Sequence, residues 1–140
     1  MRSEWRRALV VPVLGLVGCG APIRSMMTYG DFRNRWHVAL FANDDIVAVH
    51  ATDPRGAALV MWPPRIERGD VIFSAGVASA GGGGDVRQCF RLDRARLSDA
   101  WNTRVFWREP DGAHTRITEI VQGSDATAEI ARCTTVEDAR

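Results

Sequence analysis

Three histidines, His37, His50 and His114, are the side chains best suited to general-base or metal chemistry in this chain. They fall in three separate stretches, without the short intervals that bring two ligands to one ion. A metal site would need them to converge with a carboxylate such as Asp44 or Asp45, and nothing local enforces that. Neither a metal-ligand set nor a cofactor motif is read from the chain. Serine chemistry fares no better. "IFSAG" (72–76) lacks the first glycine of a G-x-S-x-G elbow and its strand-to-helix setting. The carboxylates are scattered, so no pair is nominated for glycosidic cleavage. "SAGGGGD" (79–85) has neither the lysine nor the following helix of a phosphate-binding loop. The expectation is a protein without catalysis.

Binding chemistry is better represented. "DVRQCFRLDRAR" (85–96) carries Arg87, Arg91, Arg94 and Arg96. On a strand, Arg87, Cys89 and Arg91 share one face and Gln88, Phe90 and Leu92 the other. Those arginines suit lipopolysaccharide phosphates, peptidoglycan carboxylates or an acidic partner. Asp85, Asp93 and Asp99 are interleaved, which weakens the field, and a solvated strand with local ion pairs is the preferred explanation of the pattern. Trp36, Trp62, Trp101 and Trp107 are numerous for so small a domain. Tryptophan fills sandwich cores, and it also forms platforms for sugars or hot spots for protein partners. Phe106 and Trp107 are adjacent, so a regular strand points them to opposite faces. One of the two is then exposed, covered by a loop or part of an interface. Phe106, Trp107, Arg87 and Arg91 are the candidate binding residues.

The 140 residues leave room for one domain. All 18 basic residues are arginine, a pattern that GC-rich codon usage accounts for as well as anion binding does. The formal net charge is +1; three arginines and Glu4 within residues 1–18 contribute +2, leaving −1 for the remainder. That balance gives no footprint for nucleic acid, which requires a clustered positive surface.

The N-terminus has its own logic. "MRSEWRR" is basic, and the eleven residues of "ALVVPVLGLVG" carry no charge. A basic segment before a short apolar run describes an export signal. Eleven residues are too few for a span, which needs roughly 20. Leu16, Val17, Gly18 and Cys19 then resemble the lipobox of bacterial lipoproteins. The resemblance covers about the first 20 residues. It implies cleavage before Cys19, a diacylglyceryl group on the Cys19 thiol and acylation of the new amino group. Several acyl chains hold a soluble domain at a bilayer, where one alone is marginal. Gly20 in place of aspartate resembles outer-membrane sorting, on the periplasmic face.

Cys89 and Cys133 remain once Cys19 is acylated. In an oxidising compartment a disulfide is the expectation, with two unpaired thiols the alternative.

The elements that must position these residues read as strands. Residues 1–18 are expected to be a signal peptide, 19–34 a lipidated tether and 35–140 a single domain. "RWHVALFA", "DIVAVHAT", "AALVMW", "DVIFSAGVA", "DVRQCFRLD", "TRVFWR" and "AHTRITEIV" alternate or run apolar as strands do. "DPRG" (53–56) and "EPDG" (109–112) read as hairpin turns, and "ANDD" (42–45) as a third turn. "ARLSDAWN" fits one helical turn capped by Ser98 or Asp99. "SDATAEIARC" fits a short C-terminal helix capped by Ser124 or Asp125. The expected fold is mainly β, a small antiparallel β-sandwich that is immunoglobulin-like in the broad sense, with about seven strands. A small barrel is the alternative. The functional expectation is a lipid-anchored envelope protein that binds or stabilises a protein partner in the periplasm. The alternative is a binder of an envelope ligand such as a glycan, lipopolysaccharide or a metal ion.

Overall fold

In a computed structural model of the chain, the described residues are 24–35, 37–52, 58–78 and 85–140. Two helices, α1 (Tyr29–Arg35) and α2 (Ser124–Ile130), accompany eleven short strands among them. These are β1 (His37–Asn43), β2 (Ile46–Thr52), β3 (Ala58–Met61), β4 (Arg65–Glu67), β5 (Asp70–Phe73) and β6 (Ala75–Ala78). They continue as β7 (Asp85–Arg91), β8 (Val105–Arg108), β9 (His114–Arg116), β10 (Ile120–Val121) and β11 (Glu137–Asp138). A five-stranded sheet β10-β1-β2-β7-β11, a four-stranded sheet β4-β5-β8-β9 and the pair β3-β6 form a small, mainly β sandwich. The strand count exceeds the expected seven for two reasons. "DVIFSAGVA" and "AHTRITEIV" each break into two strands, and β4 and β11 come from residues outside the seven runs. Pairing is mostly antiparallel, but β1/β10, β7/β11 and β5/β8 are parallel.

Alternation explains the five-stranded layer. Val47, Val49 and Ala51 point into the core opposite Leu40, Ala42 and Phe90, and all six are buried. The other face would be open were it not for α2, which packs against β1 and β2. Ala126 of that helix and Ala48 beneath it are both fully buried, small residues that let helix and sheet approach. Asn43 donates to the Thr127 hydroxyl at 3.2 Å and fixes one end of the helix. Gly123 takes the N-cap position without a side-chain bond, so neither Ser124 nor Asp125 serves as the cap.

The four-stranded layer supplies Ile66, Val71, Phe73, Val105 and Trp107 to the same core. Its chain leaves at Ser74, where β5 ends and β6 begins in a different sheet. Ser25, buried, accepts the Ala75 N–H at 3.2 Å, and Met26 donates to the Ala75 carbonyl at 2.9 Å. Residues 24–34 are therefore no tether. Phe32 is 1% exposed and stacks on Trp107 with ring centroids 4.3 Å apart. Thr28 caps α1 through its hydroxyl, which accepts the Asp31 N–H, and the Glu109 carboxylate takes the Tyr29 N–H at 3.2 Å. One apolar face on a seven-residue helix was enough to draw this segment into the fold.

The turns divide. "EPDG" closes β8 and β9 as expected, with the Gly112 N–H on the Glu109 carbonyl at 2.9 Å. "ANDD" joins β1 to β2. "DPRG" and most of "SAGGGGD" lie outside the described residues. Among the described residues β2 pairs with β1 and β7 while β3 pairs with β6, so these two strands are not the partners that the expected "DPRG" hairpin required. A hairpin absent from the sequence expectations joins β4 to β5 through Arg68 (φ 53°) and Gly69 (φ 83°), a turn in which two successive positive φ values favour glycine. The stretch 94–103 holds two 3₁₀ turns rather than one helical turn, the first capped by Asp93. Ser98 instead donates to the Gly69 carbonyl at 3.0 Å. A Cβ at Gly76 would lie 2.9 Å from the Met26 sulfur and 3.1 Å from the Trp62 ring, so a larger residue there requires both side chains to shift.

Three sets of contacts tie distant segments together. Cys89 and Cys133 form a disulfide, fastening the segment after α2 to β7. Beyond it, Ala139 donates to the Arg91 carbonyl at 2.8 Å in one sheet. Arg140 donates to the Pro64 carbonyl and accepts the Ile66 N–H beside the other. Inside, the Gln88 amide reaches β3 and bonds both backbone groups of Met61, accepting its N–H at 2.7 Å and donating to its carbonyl at 3.0 Å. A side-chain amide there replaces a strand neighbour and leaves neither buried group unpaired.

Candidate functional site

The register decides which neighbours each candidate has. In the four-stranded sheet Ile72 lies opposite Phe106 and Arg65, and Phe106 lies opposite Arg116. Odd residues of β8 point inward and even residues outward, so Phe106 stands on the outer face and Trp107 in the core. Trp107 is fully buried, with its indole N–H on the Met27 carbonyl at 3.1 Å. It carries no binding surface. Of the adjacent pair, Phe106 is the member left outside.

Phe106 is half-buried among charged chains. Arg65, Arg104, Arg108 and Arg116 share its face with Glu67 and Asp70, four cations against two anions. Arg108 is 6% exposed and reaches across β5 to place one guanidinium nitrogen 2.8 Å from both oxygens of Glu67. Arg65 approaches the same carboxylate at 3.8 Å. Asp70 pairs with Arg104 and raises the guanidinium pKa through that hydrogen bond. Arg116, exposed on the outer strand, makes no ion pair among the described residues. His114 is exposed beside it, its ring centroid 6.2 Å from that of Phe106. The arrangement holds an aromatic ring in place and leaves excess positive charge at its rim.

Arg87 and Arg91 do not join this face. They project from the outer side of the five-stranded sheet, the opposite surface of the sandwich. Arg87 is engaged by Glu129 of α2 at 2.9 Å, and Arg91 remains exposed. Arg94 pairs with Asp44 and approaches Asp45 at 3.7 Å, while Arg96 donates to the Ile66 carbonyl at 2.5 Å. Three of the four arginines of 85–96 are thus engaged by partners in different directions, and Arg91 stands apart from them. His50 bonds Asp85 at 2.6 Å. No three His, Cys, Asp or Glu side chains among the described residues converge as a metal site would need. Leu16, Val17, Gly18, Cys19 and Trp36 lie outside the described residues.

Sequence reasoning passed over Arg104, Arg108 and Arg116. They are separated by turns and by one strand, and only the pairing of β8 with β5 and β9 assembles them around Phe106. Arginine two residues to either side of Phe106 in "RVFWR", on the same face of a strand, was the available signal. Comparison of the chain with protein-family models, curated proteins and solved structures finds no match in any of the three.

Proposed function

We propose that this chain is a lipid-anchored, non-catalytic protein of the bacterial envelope that binds an acidic protein partner through the outer face of β4-β5-β8-β9. The observation that carries the reading is Phe106 held among four arginines and only two carboxylates on one sheet face. An aromatic anchor ringed by charge supplies the two ingredients of an interface, a desolvated centre and an electrostatically steered rim. The anchor rests on Leu16, Val17, Gly18 and Cys19, and acyl chains on Cys19 confine the domain to partners near a membrane.

Two measurements test the reading. Intact mass of the membrane-extracted protein is expected to show loss of residues 1–18 and added acyl chains, both absent in Cys19→Ser. Capture from envelope extracts is expected to yield a partner whose retention falls with salt. Phe106→Ala weakens that capture about tenfold or more, as does Arg116→Glu, while Arg91→Ala leaves it unchanged. Retention indifferent to Phe106 and Arg116 in folded variants would end the reading.

A further inference from the structure

Trp101 belongs to neither the core proper nor the Phe106 face. It sits at one end of the sandwich, where the β1–β2 turn meets the 93–104 connection between β7 and β8. Two adjacent clefts of about 280 and 260 Å³ lie there, and Trp101, Asp44 and Ala100 line both. Ala42, Asn102 and Gln122 complete the first, Arg94, Leu97, Ser98 and Asp99 the second. We infer that this double cleft binds an uncharged oligosaccharide, one pyranose ring on each side of Trp101.

The indole is held in place before any ligand arrives. Its only polar atom donates to the Asp44 carbonyl at 3.1 Å, and the Trp101 carbonyl accepts the Arg104 N–H at 2.8 Å. What it offers the clefts is therefore ring surface. Asp44 and Ala100, on either side, both have φ of 53°, the left-handed region that residues with a Cβ rarely adopt. For alanine no side-chain hydrogen bond compensates that conformation.

The lining chemistry selects the ligand. An apolar molecule would strand the polar groups of Asp44, Asn102, Gln122 and Ser98. An anion would meet Asp44 and Asp99, while Arg94, the lone cation there, is already engaged by Asp44 and Asp45. A pyranose fits both demands. Its C–H face carries slight positive charge against the indole π-cloud, and its hydroxyl rim donates to and accepts from planar amides and carboxylates. Asn102 and Gln122 make no hydrogen bond among the described residues and so have both functions available.

The site is independent of the Phe106 face, and the full chain is used to test it, in a detergent without a sugar headgroup. Cellotetraose, maltotetraose and tetra-N-acetylchitotetraose are titrated while the Trp101 indole N–H is followed by NMR. At least one is expected to shift that resonance saturably. Asn102→Ala with Gln122→Ala is expected to weaken binding at least about fivefold without lowering the unfolding midpoint, since neither side chain is buried. Trp101→Ala, followed by isothermal titration calorimetry because it lacks the reporting indole, weakens it at least about tenfold, and Phe106→Ala changes nothing. No shift with any of the three up to about ten millimolar overturns the inference. So does binding that survives the Asn102, Gln122 pair unchanged.

Discussion

Replacing Gln88 probes the contact that joins β7 to β3. Its amide accepts the Met61 N–H at 2.7 Å and donates to the Met61 carbonyl at 3.0 Å, and Met61 is only 2% exposed. Gln88→Leu keeps the volume and leaves both backbone groups without partners. Each buried unpaired group costs about 1–3 kcal/mol, partly offset by the added apolar burial, so a loss of about 2 kcal/mol is expected. Gln88→Glu is more telling. The ionised carboxylate still accepts the N–H but sets an anion against the carbonyl oxygen, and about 3 kcal/mol is lost at neutral pH. Protonation restores a donor, so the folded state raises this carboxyl above its unfolded value of about 4.3. The recovered stability is fully present below that unfolded value and disappears as pH rises through the raised folded one. Urea unfolding of the three proteins, followed by tryptophan fluorescence at pH 4 and pH 7, reads this directly, each variant against wild type at the same pH. Exchange of the Met61 amide supplies a local check. A Leu variant within about 0.5 kcal/mol of wild type would refute the reasoning. So would a Glu variant whose deficit is the same at both pH values.

Cys89→Ser with Cys133→Ser removes a cross-link between residues 44 apart and is expected to cost on the order of 4 kcal/mol by chain entropy. Reductant should then lower the unfolding midpoint of wild type but not of the variant; a loss below about 1 kcal/mol would show that the C-terminal segment holds without the bridge. Tyr29 is the single tyrosine, and burial against α1 and the core raises its phenol above the usual 10, an effect that Arg33 opposes and Glu119 assists. The folded state holds the neutral form, so its contribution is present below the unfolded value and is lost as pH rises through the higher folded one. The near-ultraviolet phenolate absorbance should therefore rise above pH 10 in the native protein, and a midpoint at or below 10 would contradict the buried position.

Local sequence determined the strands and their faces. The alternation in "DIVAVHAT" already separates Val47, Val49 and Ala51 from Ile46, Ala48 and His50, because successive strand residues must point to opposite sides. "EPDG" specified a turn through proline and glycine, and the Phe106–Trp107 adjacency required one ring inside and one outside. The cysteine pair carried the disulfide for the same reason, since two thiols in a domain of this size have few other fates under oxidation. Tertiary structure alone decided where those pieces meet. Whether residues 24–34 hang free or fold depended on a slot beside Trp107 for Phe32, which no local pattern reveals. That β2 and β3 part company at "DPRG" followed from sheet partners dozens of residues away. The arginines around Phe106 and the two clefts at Trp101 likewise come from separate segments. Backbone conformation is a local preference, but a surface is made by strand order, and strand order is settled by which faces can bury each other.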